Sequence, residues 1–163
     1  MTNTNGKKIS DYAKEWHISA DGKALNIELR NDVLFHNGRR LSTMDVKFSI
    51  DSARSIRKDS YYRNALSSIA KVENISRTKM IIHLHRPNGY ILRTLAEVPI
   101  LPATVYHDSL RKKRGPIIGT GPFRLGAWDK RNIRLIRNQG YWGKKAVVPV
   151  IEFVFEPDAA RAL

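Results

Sequence analysis

The sequence predicts a mixed α/β fold of the α+β kind, in which antiparallel hairpins alternate with a few helices. Short alternating apolar segments are separated by Asp-Gly and Asn-Gly pairs, a pattern typical of antiparallel hairpins. Other stretches carry apolar residues at helical spacing, and one of them begins with a serine suited to capping a helix. A chain of 163 residues is long enough for about one domain with a substantial core.

The first predicted element is a hairpin around Asp21 and Gly22. Apolar residues alternate with polar ones on both sides of this pair, and one face of the hairpin is expected to point inward. The residues of that face are Trp16, Ile18, Leu25, Ile27 and Leu29. A second turn is predicted at Asn37 and Gly38.

A helix is predicted to begin after Ser42. The Ser42 hydroxyl can cap a free backbone N–H, and Asp45 follows three residues later, close to the capping-box pattern. The helical stripe consists of Val46, Ser49, Ile50 and Ala53. The helix is expected to end near Arg57, and a shorter helix is expected over residues 61–69.

The second half of the chain is predicted to hold further strands and one more helix. The strands are expected over residues 71–75, 79–84, 123–128, 133–136 and 147–155, and the helix over residues 90–97. A proline-rich connector at residues 98–102 indicates a soft boundary, because each proline favours an extended residue before it. Residues 115–122 are predicted to form a loop, and Pro157 is predicted to open another helix.

Composition excludes several classes of protein. The chain has no cysteine, which excludes a disulfide scaffold, a thiolate zinc site and a cysteine nucleophile. Its first residues are polar and lack the apolar core of an export signal. The net charge of +14 allows nucleic acid, an anionic membrane surface or an acidic ligand as partner and selects none of them.

The patterns that could carry chemistry are weak. His83 and His85 share a face if their segment is a strand, but a zinc site needs further ligands. No Gly-x-Ser-x-Gly elbow supports a hydrolase. The basic run 111–114, together with the cations at Lys130, Arg131, Arg134 and Arg137, leaves open a module that binds nucleic acid or an anionic membrane surface.

A set of ordered motifs resembles the family 5 extracellular solute-binding proteins, the oligopeptide-, dipeptide- and nickel-binding receptors of ABC importers. The resemblance begins with the segment Ala13 to Gly38, which carries both predicted turns, and continues through Leu41-Ser-Thr-Met-Asp-Val-Lys-Phe-Ser49. It extends through Ile118-Gly-Thr-Gly-Pro-Phe-Arg-Leu125, Arg137-Asn-Gln-Gly-Tyr-Trp-Gly143 and Glu156-Pro-Asp-Ala-Ala-Arg161.

The resemblance implies part of lobe one of a type II periplasmic-binding-protein fold. Residues 1–9 are then a disordered N-terminal segment, residues 10–102 the smaller lobe-one subdomain, and residues 103–163 a truncated part of the main lobe-one sheet. Open edges of that sheet are expected to allow self-association.

The implied function is that of a substrate-binding component of an ABC importer, which hands a peptide or similar solute to permease subunits. No catalysis, cofactor or metal is implied, and Tyr61 and Tyr62 are the candidate ligand contacts. The full-length protein would be periplasmic or extracellular and associated with the membrane, although this chain shows no signal peptide.

Overall fold

The computed structural model describes residues 12–55, 61–106 and 116–156. Within these ranges it contains antiparallel sheets and short helices, which confirms the predicted mixed α/β class. In chain order the elements are β1 (Ala13–Ile18), β2 (Ala24–Leu29), α1 (Thr43–Ser55), α2 (Tyr61–Ala65), β3 (Ile69–Asn74), β4 (Lys79–Leu84), α3 (Ile91–Glu97), β5 (Phe123–Trp128), β6 (Asn132–Arg137) and β7 (Val150–Val154).

A four-stranded antiparallel sheet in the order β1-β2-β4-β3 forms the first layer. The β1–β2 hairpin closes at the predicted turn, where Gly22 has a φ of 69°. That conformation favours glycine, and a Cβ there would also lie 3.0 Å from the Cβ of Pro87. The Asp21 carboxylate accepts bonds from the Ser19 hydroxyl and the Lys23 amide, which orders the turn.

The predicted inward face of this hairpin is only partly buried. Leu25 and Leu29 belong to the core, and Trp16 and Ile18 lie opposite Ile27 and Leu25 on the same face. However, Trp16 is 37% exposed and Ile18 is 42% exposed. The expectation that both point into a core was wrong because β1 is the edge strand of the sheet.

Helix α1 packs on the buried face of the sheet. Its predicted stripe is buried, and Val46, Ile50 and Ala53 join a core cluster that also contains sheet residues, Phe35 and Ile91. The proline-rich connector docks against this helix, because the Leu101 amide donates to the Ser49 hydroxyl at 2.8 Å and the Ala103 amide donates to Asp45 at 2.9 Å.

The N-terminus of α1 is capped differently from the local expectation. Both the amide and the hydroxyl of Ser42 donate to Oδ2 of Asp45, at 2.9 and 2.7 Å. The Arg39 guanidinium also donates to Asp45, whose side chain is fully buried. Asp45 therefore collects four donors and is the centre of this cap.

Several element boundaries differ from the predictions. Helix α2 stops at Ala65, where a turn leads directly into β3. Strand β7 begins at Val150, one residue after Pro149, which has no N–H to donate to a ladder. Four expectations lie outside the described residues: the disordered segment 1–9, the helix end near Arg57, the basic run 111–114 and the helix at Pro157.

The remaining strands form a separate three-stranded antiparallel sheet in the order β5-β6-β7. The β5–β6 hairpin turns at Asp129, whose carboxylate accepts the amides of Arg131 and Asn132 at 2.8 and 2.9 Å. Strand β5 carries a bulge at Gly126, where a Cβ would lie 2.6 Å from the Ile136 side chain. No helix within the described ranges has the length and apolar character needed to cross a bilayer.

Candidate functional site

The two tyrosines predicted to contact a ligand lie side by side in α2. Their rings meet edge to face, with centroids 5.6 Å apart and planes 65° apart. Tyr62 is half-buried and packs against the core, whereas Tyr61 is 61% exposed. Tyr61 therefore presents most of its surface to solvent, and Tyr62 anchors the pair.

Both tyrosine hydroxyls donate to Glu97 at the end of α3. The Tyr61 hydroxyl lies 2.7 Å from Oε2 of Glu97, and the Tyr62 hydroxyl lies 3.0 Å from its backbone oxygen. Nε of Arg93 lies 3.6 Å from the other carboxylate oxygen of Glu97. We call Tyr61, Tyr62, Arg93 and Glu97 the tyrosine–glutamate cluster.

The cluster joins exposed aromatic surface to a carboxylate. The hydrogen bond to Glu97 raises the pKa of Tyr61 above its ordinary value, because ionising the phenol would remove the proton that it donates to the carboxylate. Such a surface can contact apolar or cationic groups of a solute. The sequence analysis did not select Glu97 or Arg93, although their i, i+4 spacing on a predicted helix is a recognisable signal.

The histidine pair does not form a metal site with the described side chains. Nε2 of His83 lies 3.1 Å from Oε2 of Glu73, and the ammonium of Lys71 lies 3.0 Å from the same oxygen. The pKa of Glu73 is lowered chiefly by the hydrogen bond from Lys71 and, to a smaller extent, by the hydrogen bond from His83. Across the three described ranges, no group of three or more His, Asp or Glu side chains could hold a metal ion.

Two of the four cations singled out from the sequence, Arg134 and Arg137, lie on β6 and are engaged within the fold. Nε of Arg134 lies 3.3 Å from Glu152 on the neighbouring strand. Arg137 donates to the backbone oxygens of Ala146 and Val147 at 3.1 and 3.0 Å. These contacts use part of the donor capacity that phosphate binding would need.

An open groove of about 620 Å³ is lined by residues of β1, β2 and β4 in the four-stranded sheet. It is lined by Glu15, Trp16, His17, Asn26, Ile27, Glu28, Ile75, Lys79, Met80 and Ile81. Its polar rim includes Glu28, whose pKa is lowered chiefly by the hydrogen bond from Lys14. The groove is shallow and does not include the tyrosine–glutamate cluster.

Comparison with known proteins shows that this chain is similar to bacterial binding proteins. The dipeptide-binding protein of Escherichia coli K12 is 29% identical over an alignment that covers 93% of this chain and 33% of that protein. The nickel-binding periplasmic protein of the same organism is 31% identical over an alignment that covers 94% of this chain and 30% of that protein. The chain thus spans about a third of the length of these relatives, which are named as binding proteins.

Solved structures agree over nearly the whole chain. The crystal structure of NikZ from Campylobacter jejuni in complex with Ni(L-His) superposes with a TM-score of 0.85 at 28% identity, covering 99% of this chain and 34% of that one. AgaA from A. tumefaciens R10 in complex with agropinic acid gives a TM-score of 0.86 at 28% identity, with 99% and 33% covered. Residues 8–163 match the family described as bacterial extracellular solute-binding proteins, family 5 Middle. The chain therefore belongs to the family 5 bacterial extracellular solute-binding proteins.

Proposed function

We propose that the chain is the lobe-one part of a substrate-binding component of an ABC importer for peptides or similar solutes. The observation that carries this proposal is the family match over residues 8–163. Relatives named for dipeptide, nickel and glutathione binding support a small solute as ligand. The basic-module alternative gains no support from these comparisons.

We assign the chain to two parts of one lobe. Residues 10–102 would form the smaller subdomain, and residues 103–163 would belong to the main sheet, with residues 1–9 as a leading segment. The separation of the strands into a four-stranded and a three-stranded sheet supports this division. Permease subunits would be the partners of the whole protein, which would work in the periplasm or outside the cell.

Tyr61 and Tyr62 remain our candidates for solute contact. Support comes from the exposure of the Tyr61 ring and from the anchoring of both hydroxyls by Glu97, which limits the rotamers of the pair. A restrained aromatic surface loses less conformational entropy when a ligand binds. Because relatives are about three times longer, this chain would supply only part of the contact area, and its affinity should be many-fold weaker than that of a whole receptor.

Two-dimensional NMR of the chain tests this proposal. A mixture of di- to pentapeptides, added to about millimolar concentration, is expected to shift the resonances of α2 and the end of α3, as weak contacts do. Replacing Tyr61 by Ala should abolish those shifts. The matched control is Tyr90→Ala, which removes an even more exposed ring at the start of α3 and should leave the shifts unchanged.

Three outcomes would count against the proposal. Micromolar peptide affinity of a monomeric chain would show a complete binding module and refute its assignment as part of a lobe. Peptide shifts that survive Tyr61→Ala would remove the tyrosines from the site. Shifts of β5 and β6 caused by a mixed-sequence oligonucleotide at physiological salt, with none from peptides, would favour the basic module.

A further inference from the structure

His36 connects the two sheets through its ring. It lies in the turn after β2, and its imidazole reaches the loop that leads into β5. The Gly119 amide donates to Nδ1 of His36 at 3.2 Å, and Nε2 lies 3.2 Å from the Gly121 oxygen. The His36 amide also donates to the Gly119 oxygen at 2.8 Å. We call these three hydrogen bonds the His36 contact.

The partners of the ring determine its protonation state. Nδ1 faces a backbone N–H and must therefore be the unprotonated acceptor. Nε2 faces a carbonyl oxygen and must carry the hydrogen. The contact thus needs one neutral tautomer of His36, because an imidazolium would present a second N–H to the Gly119 amide.

The loop of residues 119–121 is also held by hydrogen bonds that do not involve His36. Thr120 is buried and its hydroxyl donates to the Tyr12 hydroxyl at 3.2 Å. The side-chain amide of Asn138, after β6, donates to the same Gly121 oxygen at 3.1 Å. The loop therefore cannot shift to suit an imidazolium without breaking bonds to other parts of the fold.

No charged side chain in the described parts of the chain forms an ion pair with His36. The loop residues 116–122 include no ionisable side chain, and Tyr12 is the titratable neighbour through Thr120. On the turn of His36 itself, Asp32 is paired with Arg30, Arg39 with Asp45, and Arg40 donates to a backbone oxygen. Arg137, at the end of β6, is bound to backbone oxygens. A positive charge on His36 would thus gain no carboxylate partner among the described residues.

We propose that the His36 contact is sensitive to protonation: the neutral ring accepts the Gly119 amide, and a protonated ring loses that hydrogen bond while the loop of residues 119–121 stays in place. Protonation at Nδ1 removes the acceptor for the Gly119 amide and replaces an attraction by an N–H to N–H repulsion. The bonds of Thr120 and Asn138 then hold the loop without His36. This inference concerns the ring of His36 and its bond to Gly119, and it stands whether or not the tyrosines contact a solute.

Amide hydrogen exchange measured by NMR tests the proposal. Between about pH 8 and pH 5, the range over which histidine changes charge, the protection factor of the Gly119 amide is expected to fall about fivefold or more after correction for intrinsic exchange. In His36→Asn, which cannot gain a charge, that protection factor should not depend on pH. The matched control is His83→Gln, which removes a half-exposed histidine paired with Glu73 and should leave the fall intact.

A second measurement serves if His36→Asn does not fold. Ring ¹⁵N shifts of the unmodified chain should report the tautomer protonated at Nε2 near pH 8, and the Gly119 amide should shift along the same titration curve as His36. A Gly119 protection factor that does not change with pH would overturn the proposal. So would a ring protonated at Nδ1 at high pH, or an acid-induced loss of protection that persists in His36→Asn.

Discussion

The buried carboxylate of Asp45 offers the sharpest test of what stabilises this fold. Replacing it by Ala removes the acceptor of four donors: the amide and hydroxyl of Ser42, the Arg39 guanidinium and the Ala103 amide. These donors come from the turn before α1, from the helix cap and from the connector that follows α3. The substitution therefore tests whether one side chain joins three segments.

The expected loss in the free energy of unfolding depends on which donors lose their acceptor. Each buried backbone amide left without an acceptor costs about 1–3 kcal/mol, and Arg39 loses a carboxylate partner that is fully buried. We expect Asp45→Ala to lower the free energy of unfolding by about 4 kcal/mol. Ser42→Ala should cost only about 1 kcal/mol, because the Ser42 amide keeps its bond to Asp45.

Equilibrium unfolding in urea, followed by tryptophan fluorescence, measures these differences, with the slope checked for constancy between variants. The matched control is Asp51→Ala, in the same helix, where the carboxylate is about half exposed and pairs with Lys47. That exposed pair should contribute less than about 1 kcal/mol. If Asp45→Ala cost no more than Ser42→Ala or Asp51→Ala, our assignment of Asp45 as the centre of the cap would be refuted.

Four further predictions concern other parts of the molecule. The hydrogen bond to Glu97 raises the pKa of Tyr61 in the folded chain. The stabilisation from this hydrogen bond is therefore present below the pKa of tyrosine in the unfolded chain and is lost as the pH rises through the pKa of Tyr61 in the folded chain. In Glu97→Gln, the ultraviolet titration of Tyr61 should move to lower pH, and an unchanged titration would contradict the contact. Gly38 has a φ of 82°, so Gly38→Ala should cost about 1 kcal/mol in thermal unfolding, whereas Gly89→Ala, which has open space and no such φ, should cost less; equal losses would argue against backbone strain. Binding of DNA, measured by fluorescence anisotropy, should fall steeply with salt and show no sequence preference, because contacts to phosphates carry no base information; tight binding to one sequence at physiological salt would contradict this prediction. Light scattering should show self-association that Val154→Lys, on the edge strand β7, reduces; a concentration-independent monomer would exclude pairing through that edge.

The sequence by itself determined the local features of this protein. The two described glycines with positive φ lie in the turns that the Asp-Gly and Asn-Gly pairs predict, because backbone freedom at a turn depends on the residue itself. The buried stripe of α1 and strand β4 lie where periodicity predicts them, since burial of one face repeats with the geometry of the element. The ordered motifs were also sufficient to identify the family before the fold was known.

Tertiary structure decided the contacts that cross large separations in sequence. Ser42 looked like an ordinary cap, but Asp45 became its centre because the connector brings the Ala103 amide to it from 58 residues away. Glu97 joined the tyrosines from about 35 residues away, and Gly119 met His36 across 83. Local propensity depends on a residue and its near neighbours, whereas these hydrogen bonds depend on how sheets, helices and loops pack. The sequence analysis therefore found the elements and the family, and packing selected the residues that join the elements to one another.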